Sequence, residues 1–173
     1  MKYDILIVGS GPGGYVAAIR AAQLGRRVAL VERAEPGGVC LNWGCIPTKA
    51  LLKSAQVYGY CRNAGHYGLE LTGEVRPDPE KIVARSRGVA ETMSKGVQFL
   101  LRKNNIDLIP GFGRLTAPGR LDVEGTTYEA DHIILATGAR PRELPFLPAD
   151  GEHIVTSREA LTLGRLPESL VVV

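Results

Sequence analysis

Tyr3-Asp4-Ile5-Leu6-Ile7-Val8-Gly9-Ser10-Gly11-Pro12-Gly13-Gly14 is the stretch whose reading decides the fold. Tyr3 to Val8 is a short, nearly continuous apolar run, as a strand covered on both faces requires. A glycine-rich turn ends it, and the Ala-rich stretch Tyr15 to Leu24 reads as a helix that Gly25 closes. Arg27 to Val31 is the next strand, with Glu32 at its end. Gly9, Gly11 and Gly14 match G-x-G-x-x-G in the one context that gives the pattern meaning, after a strand and opening a helix. The first glycine makes the turn, the second lets a pyrophosphate reach the backbone, and the third allows helix and strand to pack closely. Phosphates would meet the N–H groups at the helix N-terminus. Glu32, about twenty residues on, is placed for a ribose diol, and a carboxylate there would repel a 2′-phosphate. Such a βαβ unit, an α/β Rossmann-like element, reads as a dinucleotide site, with a glycine-rich turn that holds no ligand as the plain alternative. By itself it leaves NAD and FAD equally open.

Working outward, the next signal is Gly37-Gly38-Val39-Cys40-Leu41-Asn42-Trp43-Gly44-Cys45-Ile46-Pro47-Thr48-Lys49. The four residues between Cys40 and Cys45, Gly44 among them, let the chain double back far enough to bring two Cα atoms within disulfide range. A helix starting near Pro47 would turn its positive end to the sulfurs and, with Lys49 near by, make the pair reactive. Trp43 and Ile46 offer the apolar wall that a stacked aromatic cofactor needs. A structural disulfide is the plain alternative, and it is rare in intracellular chains. Zinc is another, since Cys40, Cys45, Cys61 and His66 can be written as four ligands. With Pro47 to Tyr60 helical, however, the two pairs stand roughly 20 Å apart at about 1.5 Å per residue, too far to share one ion. The expectation is a redox dithiol without a metal.

Composition bounds the function. The 173 residues suit one domain of ordinary size, and 45% apolar with 23% charged residues reads as globular rather than disordered. A formal charge of +3, with no Lys/Arg run longer than two, gives no footing for a nucleic-acid partner. No apolar run reaches the length of a membrane span. The chain enters its first strand with no basic n-region or cleavage site, so no targeting segment is expected. Three cysteines are no disulfide framework, and the expected compartment is cytoplasmic.

Further along, Val57 to Leu71 reads as a helix end and loop, with Cys61 an inert thiol and His66 a surface residue. Asp78-Pro79-Glu80 reads as the start of a long helix whose apolar positions fall three and four apart, ended by Asn104. Ile106 to Ile109 is a strand, and Gly111-Phe112-Gly113, Arg120 to Val123 and Thr126 to Tyr128 read as a small β-meander. His132-Ile133-Ile134-Leu135-Ala136-Thr137-Gly138-Ala139 reads as a buried strand ending in a Thr-Gly turn, where backbone can approach a ligand. Thr156-Ser157-Arg158-Glu159 is a capping box for a short helix through Leu163. Leu166 to Val173 carries a strand signal.

A Rossmann unit feeding directly into a redox dithiol resembles the flavoprotein disulfide reductases. Within them the wording from Gly37 to Leu52 is similar to the dihydrolipoamide dehydrogenases, with Trp43 a departure where many members have Val. The Ala136-Thr137-Gly138 segment resembles the one with which that family returns to its flavin site. The resemblance implies FAD held by Gly9, Gly11, Gly14, Glu32, Arg33, Gly38, Val39, Cys40, Lys49, Gly113, Thr137, Gly138 and Ala139. It implies Cys40 as the interchange thiol and Cys45 as the sulfur against the flavin. NAD is then the co-substrate of a complete enzyme, and lipoamide on a lipoyl carrier domain of a 2-oxo acid dehydrogenase complex is the partner, in a homodimer. By the same resemblance residues 1–165 form the FAD-binding domain and 166–173 begin an NAD domain, so the fold is incomplete relative to the family. A glutathione- or mercuric-reductase-like member and an inactive flavin-binding fragment are the alternatives.

Overall fold

The computed structural model describes residues 2–173. The apolar run at the N-terminus becomes β1 (Lys2–Val8), in which Leu6 and Ile7 are wholly buried. Such a strand needs partners on both edges, and it has them. Its parallel neighbours are β2 (Val28–Glu32) and β6 (Thr126–Leu135), with Ile7 opposite both Leu30 and Ile134. With β3 (Asp107–Pro110), β4 (Gly113–Ala117) and β5 (Arg120–Val123) they make a six-stranded sheet of order β3-β2-β1-β6-β5-β4. The β3-β2-β1-β6 part is parallel and β6-β5-β4 antiparallel. The glycine motif therefore sits at the C-terminal end of a central strand, where open α/β sheets bind ligands. Helix α1 (Pro12–Gln23) buries Gly14, Ala18 and Ala21, a stripe of small residues that brings it close to the sheet.

Two compact units divide the chain. One runs to Asn42 and resumes over Glu91–Arg140; the other comprises Trp43–Ala90 and Pro141–Val173. The first holds the sheet, α1, α2 (Gly38–Asn42) and the C-terminal part of α4 (Pro79–Lys103). Its core joins Tyr3, Leu6, Val31, Ile109, Leu121 and Val123. The second holds α3 (Cys45–Arg62), a 3-10 turn over Ala64–Tyr67, the start of α4 and α5 (Ser157–Ala160).

Several expectations need correction. The meander is no separate element: Thr126–Tyr128 and His132–Leu135 lie on one ten-residue strand, β6, which pairs with β5 on one edge and β1 on the other. Polar Glu129 and Asp131 interrupt the apolar signal, but ladder hydrogen bonds do not depend on side-chain polarity. Nor is the end of that strand buried, since Ile134 and Leu135 are 38% and 59% exposed where α1 packs on β1 and β2 instead. Helix α4 is as expected at both ends: it starts at Pro79, with Asp78 Oδ1 accepting from the Lys81 N–H at 3.1 Å, and ends at Lys103 before Asn104, with Asn105 left-handed after it. Helix α5 stops at Ala160, three residues early, because Thr162 N–H bonds back to Glu159 in a tighter turn. Leu166–Val173 forms no strand; no ladder partner pairs with it, and Leu170 to Val173 are exposed.

Candidate functional site

The glycine turn is built so tightly that side chains are excluded from it. Gly9 has φ +100, and a Cβ there would lie 2.2 Å from the Ala136 carbonyl oxygen; one on Gly14 would lie 1.8 Å from the Gly9 carbonyl oxygen. Neither neighbour can move, because Ala136 N–H is bonded to Val8 O at 2.8 Å and Gly9 N–H to Val31 O at 2.8 Å. A Cβ on Gly11, by contrast, would meet nothing within 4 Å. Gly11 is also the N-cap of α1, with no side-chain cap and no acidic residue in the first turn. The result is open space over bare backbone at the positive end of a helix, which is the form of a phosphate site.

Ser10, the middle residue of the first G-x-G, was not among the expected site residues, yet it ties the region together. It is fully buried. Its N–H and Oγ both donate to Glu32 Oε2, at 2.9 and 2.7 Å, and Ala34 N–H donates to Glu32 Oε1 at 3.0 Å. Burial pushes the Glu32 carboxyl up, but the hydrogen bonds from Ser10 and Ala34 outweigh it and hold the group below its ordinary value. Glu32 is thus a fixed carboxylate at the end of β2. Gly37 N–H in turn donates to the Ser10 carbonyl at 3.1 Å and to Ser10 Oγ at 3.2 Å. Gly38 follows with φ +62, and a Cβ on it would lie 2.6 Å from Gly11 Cα. One serine therefore links the glycine loop, the Glu32 carboxylate and the turn that opens α2. Only its place inside the motif could have drawn attention to it in the sequence.

Helix α2 was not expected. It puts Cys40 on a helical turn, half-buried, with Val39 beside it 57% exposed. Asn42, nearly buried, fixes the preceding loop by donating through Nδ2 to the carbonyls of Glu35, Pro36 and Gly38 at 3.3, 3.1 and 3.0 Å. Ser94 Oγ adds a 2.7 Å bond to the Pro36 carbonyl.

In the second unit, α3 begins at Cys45 rather than near Pro47, so that thiol occupies the helix's first position, exposed, after the N-cap Gly44. All three cysteines are free thiols in this structure. Because α3 runs unbroken to Arg62, Cys45 and Cys61 stand at opposite ends of it, roughly 24 Å apart at about 1.5 Å per residue. Trp43 differs from expectation. Its ring is taken by the guanidiniums of Arg87 and Arg158, each 4.0 Å from the centroid, so it offers no free wall for a stacked cofactor.

Lys49 is exposed on the second turn of α3. In the first unit Arg33 is exposed and its guanidinium lies 5.8 Å over the Phe112 ring. Gly113 is close-packed, its absent Cβ pointing at Leu121, Val31 and Val8. Thr137, Gly138 and Ala139 are exposed just beyond β6, with Gly138 at φ +70, next to the Ala136 that closes over Gly9. Gly9, Gly11, Gly14, Glu32 and Gly38 are thus brought together directly, and Thr137 to Ala139 adjoin them. No helix among the described residues is long and apolar enough to cross a membrane.

A glycine loop at the end of a central parallel strand, an ionised carboxylate on the next strand and a Cys40-bearing helix tied to that loop through Ser10 make the first unit a Rossmann-like α/β fold. Residues 3–173 match the pyridine nucleotide-disulphide oxidoreductase family, and the chain belongs to it. Among curated relatives it is 50% identical to a dihydrolipoyl dehydrogenase of Rhizobium etli and 52% identical to one of Zymomonas mobilis, over 99% of this chain in each case. It spans only 40% and 38% of their lengths. Among solved structures, LpdA from Mycobacterium tuberculosis superposes with a TM-score of 0.86 at 31% identity, covering 97% of this chain and 38% of that one. The HOCl-induced flavoprotein disulfide reductase RclA from Escherichia coli gives 0.79 at 29% identity, covering 95% and 35%.

Proposed function

We propose that this chain is the FAD- and dithiol-bearing portion of a dihydrolipoyl dehydrogenase, with residues 1–165 as its FAD-binding domain. The observation that carries the reading is the Ser10 network, in which one buried hydroxyl donates to Glu32 and accepts from Gly37. It joins the glycine loop to the turn that opens the helix bearing Cys40. The residues fit a flavin dinucleotide. Open backbone at Gly11 and the uncapped start of α1 suit the pyrophosphate, and the carboxylate of Glu32 suits a ribose diol.

In the exchange step a dihydrolipoyl thiolate attacks Cys40 Sγ of the oxidised pair, Cys45 leaves as thiolate, and a mixed disulfide forms. The second lipoyl thiolate attacks its own partner sulfur and expels Cys40. The lipoyl group ends as a disulfide, and Cys40 and Cys45 hold the two electrons. FAD, when bound, supplies a two-electron acceptor between this dithiol and NAD. When FAD is bound, Arg33, Gly38, Val39, Gly113 and Thr137 to Ala139 would contribute to its site from the first unit, and the resemblance makes Lys49 on α3 a further candidate. In the complete enzyme the partners are a lipoyl carrier domain of a 2-oxo acid dehydrogenase complex and a second subunit, in the cytoplasm.

Two measurements test this. Equilibrium dialysis against FAD, NAD and NADP should retain FAD; retention of NADP alone overturns the dinucleotide assignment. Treating the oxidised chain with dihydrolipoamide and then removing the small molecules should leave two more titratable thiols on the protein, and Cys40→Ser should abolish that gain. An equal gain in that variant removes Cys40 and Cys45 from the reaction.

A further inference from the structure

The start of α3 lacks a side-chain cap, and Gly44 before it has no side chain to pack. Cys45 sits on the first position of this helix, so something outside the helix must hold it. Three consecutive residues of α4 do part of this. Arg85 Nη1 donates to the Ala50 carbonyl at 2.9 Å, buried Ser86 Oγ donates to the Pro47 carbonyl at 3.0 Å, and the Arg87 guanidinium lies 4.0 Å over Trp43. The remaining hold comes from elsewhere in the sequence. Arg158 places its guanidinium 4.0 Å from the centroid of the same indole. Its own backbone is fixed, because Arg158 N–H bonds to Thr156 Oγ1 at 3.3 Å inside a complete capping box whose Glu159 carboxylate is used on Thr156.

We infer that Arg158 is a positioning residue for Cys45: by gripping Trp43 together with Arg87, it fixes the Trp43–Gly44 link from which α3 and the Cys45 thiol start. Trp43 lies two residues before Cys45, so the Cα atoms are at most about 7 Å apart and a shift of the indole is passed to the thiol with little slack. The inference rests on the reading of Cys40 and Cys45 as the redox pair. A thiol held in one place is at higher effective concentration for its partner, which favours ring closure over a lingering mixed disulfide. The planar guanidinium matters as well as the charge, because an ammonium cannot stack on a ring.

The test uses the full chain carrying Cys61→Ser, so that only Cys40 and Cys45 react with glutathione. Closure follows two thiols plus oxidised glutathione giving one protein disulfide plus two reduced glutathiones. Arg158→Gln should lower the equilibrium constant for closure about two- to fivefold, up to about 20 mV for a two-electron couple, with far-UV circular dichroism unchanged. Arg158→Lys should not restore it. Trp43 is the one tryptophan in the chain, so its emission should change in both variants and report the lost stack. An unchanged closure constant in Arg158→Gln, or full rescue by lysine, overturns the inference while leaving the redox reading intact. Failure of the Arg158-containing chain to form the Cys40–Cys45 disulfide overturns both.

Discussion

The turn at Gly9–Gly14 and the turn at Trp43–Gly44 each hand the chain to a helix, but by opposite means. In the first, backbone packs on backbone: Gly9 and Gly14 leave no room for a methyl group, and one buried serine supplies the polar links. In the second, the helix start is gripped by side chains from residues 85–87 and 158. A backbone-built site tolerates almost no substitution at a few positions. A site held by side chains spreads its sensitivity over many positions, each of modest weight.

The sharpest break of that comparison is a pair of alanines in one motif. Gly14→Ala should destabilise the first unit by about 3 kcal/mol or more, since its Cβ would fall inside the Gly9 carbonyl. Gly13→Ala, with nothing within 4 Å, should be neutral or stabilising by up to about 1 kcal/mol. Urea midpoints for the two variants decide it; equal values would show that the turn relaxes freely. Next comes Glu32→Ala, expected to weaken FAD binding by about 2 kcal/mol, roughly thirtyfold in Kd. Isothermal titration reads it, and an unaltered Kd would take Glu32 out of the site.

Ser86→Ala should cost about 1 kcal/mol, because it removes the buried hydroxyl that donates to the Pro47 carbonyl. A cost as large as that of Gly14→Ala would erase the proposed contrast between the two turns. The smallest effects involve pH and the α5 cap. The folded carboxyl of Glu32 lies below its ordinary value of 4.5, so the unfolded chain binds the proton more readily. Its stabilising contribution is present above that value and is lost as pH falls through the folded one. Glu32→Gln should therefore flatten the acid limb of a stability–pH curve between about pH 5 and 3. Thr156→Ala should cost about 1 kcal/mol at most and register first in Trp43 emission, through Arg158.

Much of the first turn was legible in the sequence. Glycine spacing, a preceding apolar run and a later acidic residue are local statements, and local sterics enforce them. Less of the second was. Helix α2 is not legible because Gly37-Gly38 argues for a turn, yet the helix starts directly after Gly37, with left-handed Gly38 as its first residue. Trp43 reads as an open apolar wall until arginines more than forty residues away are placed on it. The single strand β6 likewise reads as two, because its polar middle is paired on both edges rather than covered.

By itself, the sequence determined the βαβ order, the glycine loop with Glu32 about twenty residues beyond it, the cysteine pair and the capped starts of α4 and α5, because each is written in patterns confined to a short stretch of chain. Tertiary structure alone decided that Ser10 would link Glu32 to Gly37, that β6 would join the parallel and antiparallel parts of one sheet, and that Arg85 to Arg87 and Arg158 would hold the helix carrying Cys45. Apart from the local β5–β6 pairing, these are contacts between residues 22 to 127 positions apart, whose meeting depends on how the elements pack and leaves no periodic mark on the chain.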